Sequence, residues 1–171
     1  MAQKSFKYTT KEICFAAIFM ALNIAVSTFS IPVPGGHFYI NDMVICTAAI
    51  LLDPFLAFCV GGVGAFLGDL LFYPTPMFVS LVTHGLQAIV VSLCARKLFA
   101  KKQVIGASVG VLLGAIINVV GYSFGRAFIY ATIPEAILKL PYQTGQALLG
   151  AIVSIVICYI APVKRLLKIK N

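Results

Sequence analysis

The chain has 171 residues, of which 61% are hydrophobic and 11% charged, with a mean hydropathy of +1.02 and a formal net charge of +8. A soluble domain is usually about half apolar and a quarter charged, so this composition predicts an integral membrane protein. The basic N-terminus leads into an apolar run without a small-residue cleavage site, so we expect no cleavable signal peptide. We expect a single membrane domain over residues 1–171.

Most of the positively charged residues lie at the ends of apolar runs. Eleven of the thirteen basic residues lie there, namely Lys4, Lys7, Lys11, Arg96, Lys97, Lys101, Lys102, Lys164, Arg165, Lys168 and Lys170. Lys and Arg beside membrane spans mark the cytoplasmic side. Nucleic-acid binding would need these charges on one soluble face, so no nucleic-acid partner is expected. The five cysteines all fall within apolar runs and form no CxxC pair, which indicates small buried side chains.

In chain order, the apolar runs predict an all-α, compact bundle of six transmembrane helices. A span needs about 20 mostly apolar residues, and the Asp53-Pro54 step separates two helices because proline disfavours helix at the residue before it. The predicted helices cover about residues 11–31, 42–52, 54–72, 77–95, 103–125 and 142–161. The short second helix must cross, since otherwise the basic N-terminus and the Arg96 cluster would face opposite sides. Both termini are then cytoplasmic, and protein must cover the short helix.

The first outward loop, "IPVPGGHFYIND" from Ile31 to Asp42, is longer than a plain turn requires. Its prolines stiffen the entry, and Gly35 and Gly36 allow the chain to fold back. Aromatic and polar side chains follow the glycines. We therefore interpret the loop as a lid over a ligand, with Tyr39, Asn41 and Asp42 as its contacts, although a simple turn is the alternative.

Polar side chains recur inside the apolar helices, where they usually mark function. Helix 4 carries Ser80, Thr83, His84 and Gln87 on one face, helix 5 carries Asn118, Tyr122 and Arg126, and helix 6 begins with Gln143 and Gln146. Asp69 follows a glycine series suited to close helix packing, and is either an interfacial end cap or a carboxylate at the cavity rim. Glu135 and Lys139 fall in the last outer loop, where a solvated pair is expected. The predicted substrate site comprises Tyr39, Asn41, Asp42, Asp69, His84, Asn118, Tyr122, Arg126 and Gln146.

This set of groups suits a small polar ring compound. The sequence contains no GxxxxGK[ST], HExxH or GxSxG motif, so we expect neither an ATP site, a metal site nor an enzyme, and no cofactor in this chain. A stand-alone oligomeric carrier or channel is the alternative function. An intramembrane enzyme or a purely structural subunit is a third.

Helix 1 carries alanine every fourth residue, at Ala17, Ala21 and Ala25. Such a smooth stripe serves either packing within the bundle or a groove for the helix of another subunit.

The ordered blocks "YINDMVICTAAILLDPFLAFCVGGVGAFLGDLLFYP" and "GYSFGRAFIYATIPEAIL", followed by "QTGQALLGAIV", resemble the S component of an energy-coupling factor (ECF) vitamin transporter. The similarity covers about Lys11 to Pro162, and the subgroup it most resembles is linked to hydroxymethylpyrimidine or pyridoxine. The chain departs from better-known members in having no tryptophan, so Phe and Tyr would have to stack on the ligand.

The resemblance implies the substrate-binding subunit of an ATP-driven importer in the plasma membrane of a prokaryote. It implies a transmembrane T component and two ATPase subunits as partners, with ATP consumed by those subunits. The helix 1 alanines would meet the T component, and substrate would be released by toppling of the subunit in the bilayer.

Overall fold

A computed structural model describes residues 8–99 and 102–160 of the chain. These residues form six helices and one β-hairpin, in the order α1 (Thr10–Val26), β1 (Ser30–Val33), β2 (Gly36–Tyr39), α2 (Asp42–Leu51), α3 (Pro54–Phe72), α4 (Met77–Leu98), α5 (Gln103–Tyr130) and α6 (Ile133–Ile160). Four of them, α3 to α6, are long and apolar enough to cross a membrane. The helical, membrane-type fold is thus confirmed. The basic residues Lys4, Lys7 and Lys101 and the basic C-terminal tail lie outside the described residues.

The strict all-α prediction is wrong at the first loop, which folds into an antiparallel hairpin with Ser30 opposite Tyr39 and Val33 opposite Gly36. Helix α1 consequently ends at Val26 and not at Ile31. Pro34 and Gly35 form the turn between the strands. Gly35 has a φ angle of +76°. This is the angle found at the third residue of a type II turn, in which proline is common at the second residue. The turn chemistry therefore favours a closed hairpin over an extended lid.

Helix α2 lies at the centre of the bundle, packed against α1, α3, α4 and α6. All but one of its ten residues are buried, and Ile45 and Ala49 belong to the main core cluster. The helix is short, so its polar ends would be costly in lipid if protein did not surround them.

The corner between α2 and α3 lies at the end of the bundle away from the hairpin. Asp53 caps α3 by accepting a hydrogen bond from the backbone N–H of Phe55 at 3.0 Å. Three side chains donate to this corner: Tyr8, which precedes α1, to Asp53 at 2.9 Å, and from α4 Ser92 to the Leu52 carbonyl at 2.6 Å and Arg96 to the Leu51 carbonyl. The corner is thus held both by the segment before α1 and by α4.

Helix α3 packs closely on α1 through its glycines. A methyl group on Gly64 would lie 2.8 Å from Asn23 Nδ2, and one on Gly68 would lie 2.8 Å from Ser27 Oγ. Asn23 uses this proximity to donate to the Val60 carbonyl at 2.8 Å. Val60 lies in a π-helical turn, Cys59–Val63, where its backbone carbonyl is accessible to the Asn23 side chain.

The last two helices are longer than predicted. Helix α5 runs to Tyr130, and α6 begins at Ile133 where the prediction began it at residue 142. An N-terminal cap explains the early start, because the Thr132 N–H donates to Glu135 Oε2 at 3.2 Å in a capping-box sequence. Lys139 therefore lies within α6 and is only 2% exposed. The expectation of a solvated Glu135–Lys139 pair is wrong.

Candidate functional site

The site is built around a buried carboxylate. Asp42 lies in the first turn of α2, where the helix dipole favours a negative charge, and is 1% exposed. Its Oδ1 accepts hydrogen bonds from Gln87 and Asn118, each at 3.0 Å, and its Oδ2 accepts one from Gln146 at 2.9 Å. Helices α4, α5 and α6 thus each supply one amide. Such charge-assisted bonds offset the cost of removing the carboxylate from water.

His84 extends this network. Its Nδ1 lies 2.8 Å from Gln87 Oε1 and 3.7 Å from Asp42 Oδ1. Gln87 directs its amide nitrogen at Asp42, so its oxygen accepts and His84 Nδ1 carries the proton. The His84 ring meets Tyr122 edge-on, with centroids 5.3 Å apart. We refer to Asp42, His84, Gln87, Asn118 and Gln146 as the Asp42 cluster.

A second carboxylate lies nearby on α3. Asp69 accepts a hydrogen bond from the Ser80 hydroxyl, whose oxygen lies 2.5 Å from the Tyr122 hydroxyl. Ser80 has only one proton and gives it to Asp69, so Tyr122 is the donor in the second bond. The chain of three groups joins α3, α4 and α5 beside the Asp42 cluster. The Asp69 side chain therefore binds a side chain of another helix and does not serve as an interfacial end cap.

The hairpin covers these groups and is tied to the two last helices. Arg126 of α5 donates to the Gly35 carbonyl, and Lys139 of α6 donates to the His37 carbonyl. A methyl group on Gly35 would lie 2.7 Å from the Glu135 carbonyl oxygen, so this close approach requires glycine.

Strand β2 is also connected to the Asp42 cluster. The Tyr39 N–H donates to Gln146 Oε1 at 3.0 Å, so Gln146 joins the hairpin to Asp42. Burial of the phenol, with a smaller contribution from the negative charge of Asp69, raises the pKa of Tyr39 from 10.0 to about 12. Tyr39 is therefore an uncharged hydrogen-bonding group at physiological pH.

A cavity of about 30 Å³ lies between the hairpin and the Asp42 cluster. Its lining is formed by Gly36, His37, Tyr39, Asn41, Asp69, Tyr73, Pro76, His84, Tyr122, Arg126, Tyr130, Gln143 and Gln146. This volume holds water, whereas a drug-sized ligand needs about 300 Å³ or more. The hairpin or the side chains beneath it must move for a vitamin-sized molecule to enter.

Three polar atoms at this cavity lack hydrogen-bond partners among residues 8–99 and 102–160. They are His37 Nδ1, Asn41 Oδ1 and the Tyr130 hydroxyl, and all three are buried. Buried polar atoms are nearly always hydrogen-bonded in proteins, so each exception requires an explanation. All three belong to residues that line the same cavity. They are therefore available to bind a polar ligand there.

The nine predicted site residues come together in space. Seven of them line the cavity, and Asp42 and Asn118 lie in the hydrogen-bonded network beneath it. Helical spacing also indicated Ser80, Gln87 and Gln143. Tyr73, directly after α3, was expected only as a residue that could stack on a ring. His37, Tyr130 and Lys139 were not predicted, because their positions follow from the hairpin and from the extended ends of α5 and α6.

The helix 1 alanines are exposed: Ala17, Ala21 and Ala25 all lie on the outer surface of α1. The alternative that they pack within the bundle is therefore wrong. Ile18 and Leu22 beside them are 61% and 45% exposed. Together they form an apolar surface with a smooth strip, which we call the alanine surface.

Two comparisons with known proteins bear on this site. Residues 7–163 match the family described as "ECF-type riboflavin transporter, S component". A curated protein of Pyrococcus woesei, described as "Uncharacterized protein in gap 3'region", is 29% identical over 104 residues, which is 60% of this chain and 68% of that protein. The match to the family includes every residue of the cavity.

Proposed function

The chain belongs to the family of ECF-type riboflavin transporter S components, and on this premise we propose that it captures a small ring-containing vitamin or vitamin precursor from outside the cell. The family consists of substrate-binding membrane subunits of vitamin transporters. The observation that carries the proposal is the set of unpartnered buried atoms, His37 Nδ1, Asn41 Oδ1 and the Tyr130 hydroxyl, around one cavity. A polar ligand would provide the hydrogen bonds that these atoms lack.

The ring chemistry of the cavity supports an aromatic ligand. His37 lies near both Tyr39 and Tyr73, with ring centroids 6.2 and 5.5 Å apart, and Tyr122 also lines the cavity. Aromatic faces stack on ring systems, while the amides and hydroxyls set the orientation of the ligand.

Riboflavin is the substrate named in the description of the family, whereas the sequence resemblance favours pyridoxine or hydroxymethylpyrimidine. The small cavity favours these single-ring compounds, because a three-ring flavin would demand a larger displacement of the hairpin. We propose the single-ring compounds first and riboflavin as the second candidate.

We further propose six membrane crossings in one membrane domain, with both termini in the cytoplasm of a prokaryote and the hairpin outside. Helix α2 is too short to span in contact with lipid, but its burial among α1, α3, α4 and α6 supports a crossing within the protein. Arg96 and Lys97 lie in the last turn of α4, at the end that would face the cytoplasm, in agreement with the positive-inside rule.

The proposed partners are a T component and two ATPase subunits. The alanine surface supports an interface with the T component, because small side chains allow helices to approach closely in a membrane. ATP would be consumed by the partner subunits, and this chain would contribute no cofactor.

The test is purification in lipid nanodiscs, mass spectrometry of the small molecules retained, and calorimetric titration with pyridoxine, hydroxymethylpyrimidine and riboflavin. We expect tight, one-to-one binding of one of them. Retention of no small molecule, together with no binding of any of the three, would overturn the proposal. Uptake into liposomes that contain this chain alone would instead favour a stand-alone carrier.

A further inference from the structure

Two cationic side chains meet beneath the hairpin. Arg126 from α5 and Lys139 from α6 border the same closely packed region, together with Tyr122 and Gln143, and this region has no room for a water molecule while the hairpin is closed. Each donates to a carbonyl oxygen of the hairpin, and Arg126 also lines the cavity.

Neither cation has a carboxylate within 4.0 Å among residues 8–99 and 102–160. Lys139 is nevertheless only 2% exposed. A buried charge is costly unless an opposite charge compensates it, and carbonyl dipoles compensate it only in part. Arg has five N–H donors and Lys has three, so donors remain for a further acceptor.

The two nearby carboxylates are engaged elsewhere. Asp69 is held by Ser80, and Asp42 is held by three amides. Asn118, which binds Asp42, precedes Arg126 by two helical turns, or about 12 Å along α5. Positive charge is therefore concentrated at the hairpin, and the Asp42 carboxylate lies deeper, next to the uncharged polar groups.

We infer that the substrate carries a phosphate or carboxylate group, which binds between Arg126 and Lys139 once the hairpin moves away from them, while its uncharged ring occupies the part of the cavity near His84 and Tyr122. This inference rests on the proposed function and adds the charge class of the substrate. A guanidinium presents paired N–H groups that match either anion, and the lysine ammonium adds a second charge. Asn41 Oδ1 remains available to accept a hydrogen bond from the ring or its substituents.

A membrane lipid could provide the same phosphate chemistry. The space between the cations shares Ser123, Ala136 and Leu140 with an apolar groove between α5 and α6 on the outer surface of the bundle. The experiment must therefore separate a soluble phosphate from a lipid headgroup.

The experiment compares matched ligands that differ only in a phosphate: pyridoxine with pyridoxine 5′-phosphate, and riboflavin with riboflavin 5′-phosphate. Dissociation constants are measured by calorimetry in nanodiscs of zwitterionic lipid and again in nanodiscs enriched in phosphatidylglycerol. The variants are Arg126→Gln, Lys139→Gln and the charge-conserving Arg126→Lys, with Lys11→Gln as the control, because Lys11 is an exposed cation on α1.

For the pair that binds, we expect the phosphate form to bind at least about tenfold more tightly than the neutral form in the wild type and in Lys11→Gln. Arg126→Gln and Lys139→Gln should each reduce this ratio to below about threefold, and Arg126→Lys should restore part of it. The ratio compares two ligands on the same folded protein, so a loss of active fraction does not change it.

Three results would overturn the inference. Equal or tighter binding of the neutral form would exclude the anion site while leaving the proposed function intact. Loss of the phosphate preference in phosphatidylglycerol nanodiscs alone would assign the cations to a lipid headgroup. Binding of neither form of either pair would count against the proposed function itself and would remove the inference with it.

Discussion

Gln146 donates a hydrogen bond to Asp42 across 2.9 Å, although 104 positions separate the two residues in the chain. The same side chain accepts the Tyr39 N–H through its oxygen at 3.0 Å. Closure of the hairpin and the arrangement of the buried carboxylate are therefore coupled through one amide. Any movement of β2 that admits a ligand must break or replace the bond between Tyr39 and Gln146.

Removal of the Tyr130 hydroxyl should lower ligand affinity without changing the thermal stability of the protein. We expect Tyr130→Phe to leave the melting temperature within about 2 °C of wild type, because the hydroxyl has no partner among the described residues. Ligand affinity should fall about 5- to 30-fold if the hydroxyl binds the ligand. Calorimetry and a thermal shift assay measure the two effects. Tyr142→Phe, on the exposed surface of α6, is the control. Unchanged affinity in Tyr130→Phe would remove this hydroxyl from the site.

Substitution of the central carboxylate should cost stability as well as binding. In Asp42→Asn, one carboxylate oxygen becomes an NH₂ group and faces an amide donor of Gln87, Asn118 or Gln146. We expect a loss of about 3 kcal/mol in the free energy of unfolding, which is typical of a broken buried network. Thermal unfolding in detergent measures it. Thr144→Ala, which removes an exposed hydroxyl from the same bundle, should have a small effect. A stable Asp42→Asn variant would show that the amides can reverse their orientation.

The turn of the hairpin can be tested with a pair of glycine substitutions. Gly35→Ala should impair closure, because φ is +76° and the new methyl group would lie 2.7 Å from the Glu135 carbonyl oxygen. We expect ligand dissociation to become about tenfold faster in a stopped-flow experiment. Gly145→Ala is the matched control, since a methyl group there meets nothing within 4 Å. Equal dissociation rates in the two variants would show that the hairpin does not retain the ligand.

The buried phenol of Tyr39 predicts a dependence on alkaline pH. Its pKa is raised to about 12 by burial, so folding and hairpin closure favour the protonated form. The stabilisation is fully present below pH 10, the usual pKa of tyrosine, and is lost as the pH rises from about 10 to 12. We expect ligand affinity to be insensitive to Tyr39 ionisation between pH 6 and 9. Tyrosinate absorbance of wild type and Tyr39→Phe measures the titration, and a difference that titrates below pH 10 would contradict the assignment.

A bulky substitution on the alanine surface should abolish transport without changing ligand binding. Ala21→Trp adds a large side chain to an exposed strip, so vitamin binding by the isolated subunit should be unchanged. Co-purification with the T component and uptake in cells should be lost, because the helices can no longer approach closely. Ile152→Trp, at a residue 63% exposed on α6, is the control. Normal uptake with Ala21→Trp would place the partner interface elsewhere.

Much of the site could be predicted from helical spacing. His84 and Gln87, one turn apart on α4, and Asn118 and Tyr122, one turn apart on α5, could be assigned to inner faces because 3.6-residue periodicity fixes direction around a helix. The centre of the network, Asp42, was also predicted, as part of the lid loop. Its actual role as the acceptor for three helices depends on tertiary contacts that no local pattern encodes.

The hairpin and the start of α6 were missed for different reasons. Polar and aromatic residues around Pro34 and Gly35 fit a loop as well as a two-stranded ribbon, and pairing register is a tertiary property. For α6, the capping signal Thr132 to Glu135 was present in the sequence, but the predicted helix began only at residue 142. Pro134 lies in the first turn of α6, where proline is well tolerated, whereas Pro141 lies inside the helix.

The fixed corner between α2 and α3 has a consequence for the order in which the protein opens. Bonds from Tyr8, before α1, and from Ser92 and Arg96, both on α4, hold this end to two other parts of the chain. At the other end, the hairpin is held to α5 and α6 mainly through the side chains of Arg126, Lys139 and Gln146. Amide hydrogen exchange should therefore be fastest in β1 and β2 and slowest around Leu52, whose N–H is bonded to the Ala48 carbonyl at 2.8 Å. A ligand that closes the hairpin would slow exchange at one end of the molecule and leave the other, already protected, unchanged.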